Sequence, residues 1–331
     1  MQTISKKLSI KAHARLHFGF FDLCGSPGRK FGSLGLALAQ PVTEIEASIA
    51  DTFSIVGNTD AKSSENITNS VQLLQKTLNL PASLTLNIKQ RIPCHAGLGS
   101  GTQLALSLVA LFNQLYDLNI SETQMAQLSG RGARSGIGLG AFERGGFLVD
   151  SGKNLNDLPE IAIRYDFPQN WRIILVSDNV HVGVHGESEL QAFQTLKPMQ
   201  SSLKEMVFSQ MVPALQRADL LAFGAYMSDL QAYNGTYFSP IQGGHFASKN
   251  VESALTFLQE NGAVCLGQSS WGPTGFAIVE NEVKANLHLA QLKKQFAYVE
   301  NLSFVMTQGY NQGATLLNKS IPCKSIPSNS T

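Results

Sequence analysis

Residues 93–102 read Pro-Cys-His-Ala-Gly-Leu-Gly-Ser-Gly-Thr and stand between a predicted strand and a long apolar segment. Three glycines within five residues let the backbone turn without Cβ clashes, so that successive N–H groups converge on an anion. The buried helix predicted over residues 102–118 would add its free N–H groups and a partial positive charge. We therefore expect a phosphate or pyrophosphate here. The candidate phosphate-binding residues of this loop are Gly97, Leu98, Gly99, Ser100, Gly101 and Thr102.

The same loop lacks the two best-known nucleotide-binding spacings. No Gly-Lys-Ser/Thr closes it, as a Walker loop requires, and the Rossmann spacing of glycines is absent. The alternative to phosphate binding is an ordinary glycine turn before a buried helix. Spacing alone does not separate these two interpretations.

The segments around the loop show the periodicities of both strands and helices. Residues 8–18 alternate apolar and polar side chains, which predicts a half-buried strand. Ser121 and Gln124 form the pattern of a capping box for a short helix. Further strands are predicted over residues 34–39, 42–50, 84–92, 172–176, 263–266, 275–279 and 298–305. Further helices are predicted over residues 66–80, 187–229, 247–260 and 283–296.

The order of these elements predicts an α+β protein with two lobes. We place the first domain at residues 1–165, with the glycine loop, and the second at residues 166–317. Residues 318–331 are rich in Ser, Pro and Lys, which predicts a disordered tail.

A cluster of polar residues lies near the beginning of the chain. Alternation places Arg15 and His17 on the same face of the first predicted strand, about 7 Å apart, where both are able to hold an anion. Asp22 and Arg29 follow on the next loop. These four are our candidate catalytic residues, and the alternative is a solvated strand face with an exposed turn.

Residues 130–140 combine five glycines with two arginines, Arg131 and Arg134. Arginine offers a planar donor fork that suits phosphate or carboxylate. A loop this rich in glycine makes a poor structural element without a ligand. We therefore expect a flexible anion-binding segment and count both arginines as candidate phosphate-binding residues.

Residues 267–275 form a Gly/Ser/Trp turn between two short predicted strands. Ser269, Ser270 and Trp271 are candidate substrate-binding residues, with Trp271 stacking on a flat ring. A hairpin turn with a packed tryptophan is the alternative.

Composition excludes several classes of protein. Of 331 residues, 43% are hydrophobic, which excludes a disordered or collagen-like chain. The net charge of +1 provides no field that would attract nucleic acid or a membrane surface. No apolar stretch approaches the ~20 residues of a membrane span. Scattered cysteines without a CxxC pair fit a reducing compartment. We expect a soluble, cytoplasmic protein.

The histidines do not predict a metal site. His181, His185 and His245 have no carboxylate or cysteine at the spacings of a zinc site. We interpret them as loop or core residues.

Residues 93–102 resemble the Pro-x-x-x-Gly-Leu-Gly-Ser phosphate loop of the GHMP kinase superfamily. Within that superfamily, residues 14–19, 28–32 and 267–274 are similar to the β-ribofuranosylaminobenzene 5′-phosphate synthase family. The resemblance rests on four separated motifs and extends over residues 9–306. It implies a two-lobed fold, with a ribosomal S5 domain 2-like N-terminal domain and a ferredoxin-like C-terminal domain.

The resemblance also implies a reaction. 5-Phosphoribosyl 1-pyrophosphate (PRPP) is joined to 4-aminobenzoate or 4-hydroxybenzoate with loss of CO2 and pyrophosphate, in tetrahydromethanopterin biosynthesis. Mg2+ is expected with the pyrophosphate, and Asp22 is the candidate residue to hold it. Pyridoxal phosphate is not expected, because loss of CO2 restores aromaticity without an electron sink. The partners are then small molecules, and the superfamily implies a homodimer.

Two other functions remain open. An ATP-dependent kinase of the same superfamily would share the loop, but the Ser-Gly-x-Asp segment of related kinases ends here in Gly138, which is unable to accept a proton. Glu143 and Asp150 are nearby carboxylates that would have to replace it. A non-catalytic protein that binds a phosphorylated metabolite is the other alternative. The choice of arene, and the division of anions among the arginines (Arg15, Arg29, Arg131 and Arg134), also stay open.

Overall fold

The computed structural model describes residues 6–23, 29–81, 84–132, 134–154, 158–181, 183, 187–197, 199 and 202–318. Of the predicted tail at residues 318–331, Asn318 is the last residue of a strand, and residues 319–331 lie outside the described residues, as do Gly28 of the second motif and His185.

Within these ranges the chain alternates strands and helices. The strands are β1 (Lys7–Asp22), β2 (Gly32–Ile49), β3 (Ser54–Gly57), β4 (Leu84–Gln90), β5 (Phe147–Asp150), β6 (Ile161–Tyr165), β7 (Arg172–Asp178), β8 (Cys265–Gln268), β9 (Gly275–Val279), β10 (Leu302–Thr307) and β11 (Thr315–Asn318). The helices are α1 (Ala61–Leu78), α2 (Ser100–Leu115), α3 (Glu122–Ser129), α4 (Ile137–Glu143), α5 (Glu187–Thr195), α6 (Leu203–Met206), α7 (Val212–Gln216), α8 (Leu220–Gln242), α9 (Lys249–Glu260) and α10 (Glu282–Gln295), with a π-helical stretch at Val207–Met211.

The first sheet is built around the two long strands β1 and β2. Its order is β11-β1-β2-β4-β3, with β5 pairing β2 and β6 pairing β5. The sequence predicted two strands separated by Pro41, whereas β2 runs through it. Pairing with β1 continues on both sides, and its register shifts between His13 and Arg15. Pro41 lies among the residues that this shift leaves unpaired, where a missing N–H does not interrupt the ladder.

The second sheet has the order β10-β7-β9-β8 and is antiparallel throughout. Helices α9 and α10 cover one face, and α8 covers the other. The main core joins both sheets, because Phe18 of β1 lies 5.1 Å from Phe276 of β9 between ring centroids. Phe147 of β5 lies 5.9 Å from Phe223 of α8. The predicted α+β class is confirmed, and the lobes share one core.

The division into domains at residue 165 stays a prediction. The change of sheet falls between β6 and β7. After the second sheet the chain returns to the first, where β11 pairs with β1 and Asn318 lies opposite Leu8.

Strand β1 is buried on both faces, not on one as the alternation predicted. Leu16 and Phe18 are fully buried as expected, but His13 and His17 on the opposite face are also below 6% exposed. Helices α2, α4 and α8 and the turn before β9 pack around the strand. His13 and His17 therefore lie in the interior of the protein and not on its surface.

The glycine-rich segment at residues 130–140 is only partly a loop, which corrects the expectation of a flexible segment. Helix α4 begins at Ile137. A Cβ at Gly35 of β2 would lie 2.1 Å from the side chain of Ile137, and one at Gly138 would lie 2.8 Å from Thr102. The small residues thus let α4 pack closely between β2 and α2.

The predicted capping box of α3 is confirmed, with both reciprocal bonds between Ser121 and Gln124. Across the described residues, none of the helices combines the length and apolarity required to cross a membrane.

Candidate functional site

A cavity of about 400 Å³ lies where β1, α2, α5, α8 and the turn before β9 meet. Its lining combines cationic, aromatic and amide side chains. The lining residues are Arg15, His17, Phe18, Gly19, Phe20, Thr102, Gly130, Arg131, Gly132, Arg134, Ser135, Glu189, Gln231, Asn234, Gly235, Phe238, Gln242, His245, Gln268, Ser270 and Trp271.

Arg15 connects β1 to the glycine loop. Its Nη1 donates to the carbonyl of Gly97 at 2.6 Å, and its backbone N–H donates to the carbonyl of Leu98 at 3.0 Å. Burial lowers the pKa of Arg15 to about 10, so the guanidinium remains charged at neutral pH. Its Nε has no hydrogen-bond partner among the described residues.

The glycine loop is packed against the turn that carries Trp271. Gly97 has φ +74°, and a Cβ there would lie 2.4 Å from the carbonyl oxygen of Ser269. Only glycine permits both this conformation and this approach. Of the predicted loop residues, Thr102 alone lines the cavity as described. The phosphate-binding role of Gly97, Leu98, Gly99, Ser100 and Gly101 stays a prediction.

Arg131 lies at the first turn of α2. A Cβ at Gly101 would be 3.1 Å from its Nη2, so the guanidinium stands against the helix terminus. No side chain caps this helix at Gly99. Burial lowers the pKa of Arg131, and the charge of Glu189 partly offsets that effect. Free N–H groups and an adjacent guanidinium together favour an anion.

Arg134 is held by two contacts from α5. Its Nη2 forms an ion pair with Glu189 at 2.7 Å, and its guanidinium lies 4.8 Å from the ring centroid of Phe193. Both predicted arginines of this segment therefore line the same cavity as Arg15.

His17 is an uncharged member of the cationic group. Burial, followed by the charges of Arg15 and Arg134, lowers the pKa of His17 to about 3. Its Nε2 lies 3.2 Å from the Oγ of Ser135. The predicted proximity of Arg15 and His17 is supported by the structure, since both line the cavity.

A hydrogen-bonded chain leads from His17 to a buried carboxylate. The Oγ atoms of Ser135 and Ser33 are 2.8 Å apart, and Ser33 donates to Asp150 at 3.1 Å. Asp150 also accepts the backbone N–H of Gly136 at 2.6 Å. Burial raises the pKa of Asp150 to about 6 despite these bonds. Ser33 has no pattern in the sequence that would link it to this site.

The three predicted residues in the turn before β9 have different positions in the site. Ser269 is fully buried, accepts the backbone N–H of His17 at 3.0 Å and donates to the carbonyl of Gly97 at 2.8 Å. It therefore fastens β1 to the glycine loop. Ser270 and Trp271 line the cavity. Trp271 is packed 4.2 Å from Phe238 between ring centroids, so its stacking on a substrate stays a prediction.

Helix α8 supplies much of the remaining wall, which the sequence analysis did not assign to the site. Asn234 donates to and accepts from the backbone of Phe20 at 2.9 and 2.8 Å. Gln231 donates to the carbonyl of Phe18 at 2.6 Å. These residues are spread along a long helix, far in sequence from the other motifs, so no local pattern identifies them.

Comparison with known proteins agrees with this architecture. The N-terminal domain of GHMP kinases matches residues 65–146, and the C-terminal domain of GHMP kinases matches residues 211–297. The chain is 31% identical over 293 residues to the beta-ribofuranosylphenol 5'-phosphate synthase of Archaeoglobus fulgidus, covering 83% of this chain and 88% of that protein. It is 32% identical over 312 residues to the protein of that name from Methanocaldococcus jannaschii, covering 84% and 92%. The chain belongs to the beta-ribofuranosylphenol 5'-phosphate synthase family.

The family is one of enzymes of the pentosyltransferase type within the GHMP kinase superfamily, so the resemblance drawn from the sequence is confirmed. Solved structures support the fold. A homoserine kinase from Cytophaga hutchinsonii superposes with a TM-score of 0.67 at 16% identity, covering 96% of this chain and 99% of that one. A mevalonate diphosphate decarboxylase from Staphylococcus aureus gives 0.66 at 16% identity, with the same coverage of both chains.

This member of the synthase family has no carboxylate at Gly138. The glycine carbonyl accepts from Nε2 of Gln103 at 2.9 Å, and a Cβ would lie 2.8 Å from Thr102. Any larger side chain would therefore displace the threonine that lines the cavity.

Two of the predicted catalytic residues lie away from the cavity lining. Arg29 donates to Ser151 at 2.5 Å and forms an ion pair with Glu160 at 3.0 Å. Asp22 ends β1, and its carbonyl accepts the N–H of Phe31 at 2.8 Å. Phe20 is the last residue of β1 in the described lining, and Asp22 lies two residues beyond it at the end of the strand. The catalytic roles of Asp22 and Arg29 stay predictions.

Among the described residues, no group of three or more His, Cys, Asp or Glu side chains is placed to hold a metal ion. The acidic side chain in the cavity lining is Glu189, and it is committed to Arg134.

Proposed function

We propose that this protein is a decarboxylating phosphoribosyltransferase that joins PRPP to a 4-substituted benzoate and releases CO2 and pyrophosphate. One observation carries the proposal: a cationic end and an aromatic wall share one cavity in a member of this family. Arg15 and Arg131 lie at the cationic end, and Phe20, Phe238 and Trp271 form the aromatic wall. A sugar diphosphate and an aromatic acid are complementary to these two surfaces.

The acceptor that we propose first is 4-hydroxybenzoate. The archaeal relatives are named for a ribofuranosylphenol phosphate, and a phenol product requires a hydroxyl on the arene. The sequence motifs are equally compatible with 4-aminobenzoate, which is the second acceptor to test. A place in tetrahydromethanopterin biosynthesis and a location in the cytoplasm belong to the same proposal.

The proposed reaction exchanges two bonds. The anomeric carbon of the ribose loses its bond to the pyrophosphate oxygen, which leaves with the electron pair. The ring carbon that bears the carboxylate then bonds to the anomeric carbon. Loss of CO2 returns the electron pair of the C–CO2 bond to the ring and restores aromaticity. No group beyond the two substrates has to accept or supply electrons.

In this proposal the first turn of α2 stabilises the charge that develops on the leaving pyrophosphate. Thr102 and Arg131 lie at that turn, and Arg15 stands beside it. Donors that are fixed before the reaction lower the barrier most, and loss of one typically costs about 3–4 kcal/mol of transition-state stabilisation. His17 is uncharged, so it adds no repulsion to the cation-like anomeric carbon.

Mg2+ enters the proposal as the counter-ion of the sugar diphosphate. The cavity offers it no carboxylate that is free of an ion pair among the described residues. Asp22 remains our candidate for an additional ligand, and we derive no step through the ion.

Incubation with PRPP, Mg2+ and each benzoate, followed by mass spectrometry of the product, tests the reaction. We expect the ribosyl phenol or aniline phosphate with one pyrophosphate per product. ADP formation from ATP and small alcohols would support a GHMP-type kinase instead. Tight PRPP binding without any product would support a non-catalytic binding protein.

The same assay tests Asp22 and Arg29. Asp22→Asn and Arg29→Ala are expected to lower the rate of pyrophosphate release. Rates near that of the unmodified protein in both variants would remove these residues from the mechanism.

A further inference from the structure

The cavity contains a carboxylate of its own, that of Glu189 on α5. Its Oε1 accepts from Nη2 of Arg134 at 2.7 Å and from Nε1 of Trp271 at 3.3 Å. A guanidinium and an indole N–H therefore already hold one carboxylate oxygen inside the site. This is a recognition geometry for carboxylates formed by side chains, not by backbone.

The surroundings of this carboxylate are aromatic. Arg134 lies over the ring of Phe193 at 4.8 Å, and Phe193 lies 5.7 Å from Trp271. Phe238, 4.2 Å from Trp271, completes the wall that faces the cavity. A carboxylate ligand that enters here would find flat apolar surfaces beside its charged group.

The other end of the cavity has a different character. Arg131 stands at the first turn of α2, where its Nη2 lies beside Gly101, whereas Arg134 lies over the ring of Phe193. Among the described residues it has no bonded carboxylate, whereas Arg134 has one. The charge of Glu189 also acts on Arg131, but of these two arginines it is Arg134 that forms the ion pair and the aromatic contact.

We infer that Arg134 and the indole N–H of Trp271 form the subsite for the carboxylate of an aromatic acid, which Glu189 occupies when no ligand is bound. Glu189 is 27% exposed in its side chain, so it is able to leave the subsite without unfolding its surroundings. Arg131, with the first turn of α2, is left for the phosphorylated substrate. The inference rests on the proposed function, because that function requires an aromatic acid and a phosphorylated sugar in one cavity. It assigns the carboxylate to Arg134 and the phosphorylated substrate to Arg131, an assignment that the sequence left open.

Equilibrium titration calorimetry with 4-hydroxybenzoate and with inorganic pyrophosphate, each alone, tests the subsite without turnover. Arg134→Gln is expected to weaken 4-hydroxybenzoate binding by about tenfold or more and pyrophosphate binding much less. Arg131→Gln, the matched control, is expected to show the reverse pattern. Trp271→Phe keeps the ring and removes the N–H donor, and it is expected to weaken 4-hydroxybenzoate binding by about threefold or more.

The variant Glu189→Gln tests whether the Glu189 carboxylate takes the place of a ligand carboxylate or only forms a structural ion pair. Removing the competing charge is expected to tighten 4-hydroxybenzoate binding by about fivefold or more. Binding of 4-hydroxybenzyl alcohol, which lacks the carboxylate, is expected to be no tighter in this variant than in the unmodified protein. Unchanged or weaker benzoate binding in Glu189→Gln, or equal losses of both anions in Arg134→Gln and Arg131→Gln, would overturn the inference. Thermal unfolding of each variant confirms that it is folded.

The outcome is distinguishable from failure of the proposed function. If no product forms from PRPP, the binding pattern still reports on the carboxylate subsite. If product forms and Arg134→Gln leaves the KM for 4-hydroxybenzoate unchanged, the reaction stands and the subsite is wrong.

Discussion

At the scale of single residues, the charge of the cavity depends on which of its cationic side chains are paired with acceptors in the protein. Arg15 is bonded to the carbonyl of Gly97 and Arg134 to the carboxylate of Glu189. His17, which lines the same cavity, is uncharged because burial and the guanidinium groups of Arg15 and Arg134 disfavour its protonation. Arg15 and Arg134 therefore contribute positive charge to this part of the site, and His17 does not.

We expect His17 to remain neutral at every pH from 8 down to about 4, because its pKa lies near 3. At neutral pH Ser33 donates to ionised Asp150, so Ser135 donates to Ser33 and Nε2–H of His17 donates to Ser135. The proton should therefore sit on Nε2. Nitrogen-15 NMR of histidine-labelled protein measures both properties, with His17→Gln for assignment. A resonance that titrates near pH 6.5, or a proton on Nδ1, would contradict this.

Asp150 gives a pH dependence of stability with a definite sign. Its folded pKa of about 6 exceeds the ordinary value of 3.8, so between these values the folded protein holds a proton that the unfolded chain has released. Stability from this group therefore falls as pH rises through that window, by about 3 kcal/mol in all. The free energy of unfolding of wild type minus that of Asp150→Asn, from urea titrations, should be larger at pH 4 than at pH 7. An equal or smaller difference at pH 4 would show that burial does not control the pKa of this carboxyl group.

The sequence identified the residues with unusual local patterns and missed those without one. Arg15, His17, Arg131 and Arg134 stand in alternating or glycine-rich segments, and all four line the cavity. Ser33 and Glu189 lie in ordinary segments, and only the tertiary fold brings them to the site.

At the scale of elements, the junction between the glycine loop and α2 contains two glycines that act differently. Gly97 has positive φ and lies against the carbonyl of Ser269, whereas Gly101 lies within α2 beside the guanidinium of Arg131. The backbone conformation at Gly97 requires a glycine. Gly101 leaves space for the guanidinium of Arg131 at the first turn of α2.

We therefore expect Gly97→Ala to lower the free energy of unfolding by more than about 2 kcal/mol. Gly101→Ala should leave stability unchanged or raise it by up to about 1 kcal/mol, because alanine favours the helix. It should nevertheless weaken pyrophosphate binding, because its Cβ displaces Arg131. Denaturant unfolding and calorimetry measure the two effects. Unchanged pyrophosphate binding in Gly101→Ala would remove the α2 terminus from the anion site.

Elements with a clear period were predicted well. The helices at residues 66–80 and 247–260 and the strand at 172–176 correspond to α1, α9 and β7 within a few residues. Helix α4 was missed, because its glycines suggested a loop while their function is close packing against β2 and α2. Strands β5, β6 and β11 are short and take their stability from pairing, which local sequence does not show.

At the scale of the whole molecule, both sheets share a core and the cavity lies between them. Asn234 of α8, the helix that covers one face of the second sheet, hydrogen-bonds to both the N–H and the carbonyl of Phe20 in β1. It is buried at 6% exposure, so its loss would leave backbone groups unpaired.

Asn234→Ala is expected to lower the free energy of unfolding by about 2–4 kcal/mol while unfolding remains a single transition. Asn261→Ala, at the exposed end of α9, is the control and should cost less than about 1 kcal/mol. Calorimetry distinguishes the outcomes. Two separated transitions in either protein would show that the lobes unfold independently.

In the proposed reaction, one cavity couples release of pyrophosphate from a sugar diphosphate to loss of CO2 from an aromatic acid. The most direct test is to supply PRPP, Mg2+ and 4-hydroxybenzoate labelled at its carboxyl carbon, and to count labelled CO2 against pyrophosphate. The claim predicts equal amounts of both, rising together with time and absent when either substrate is omitted. Pyrophosphate release without labelled CO2, from this acid and from labelled 4-aminobenzoate alike, would contradict it.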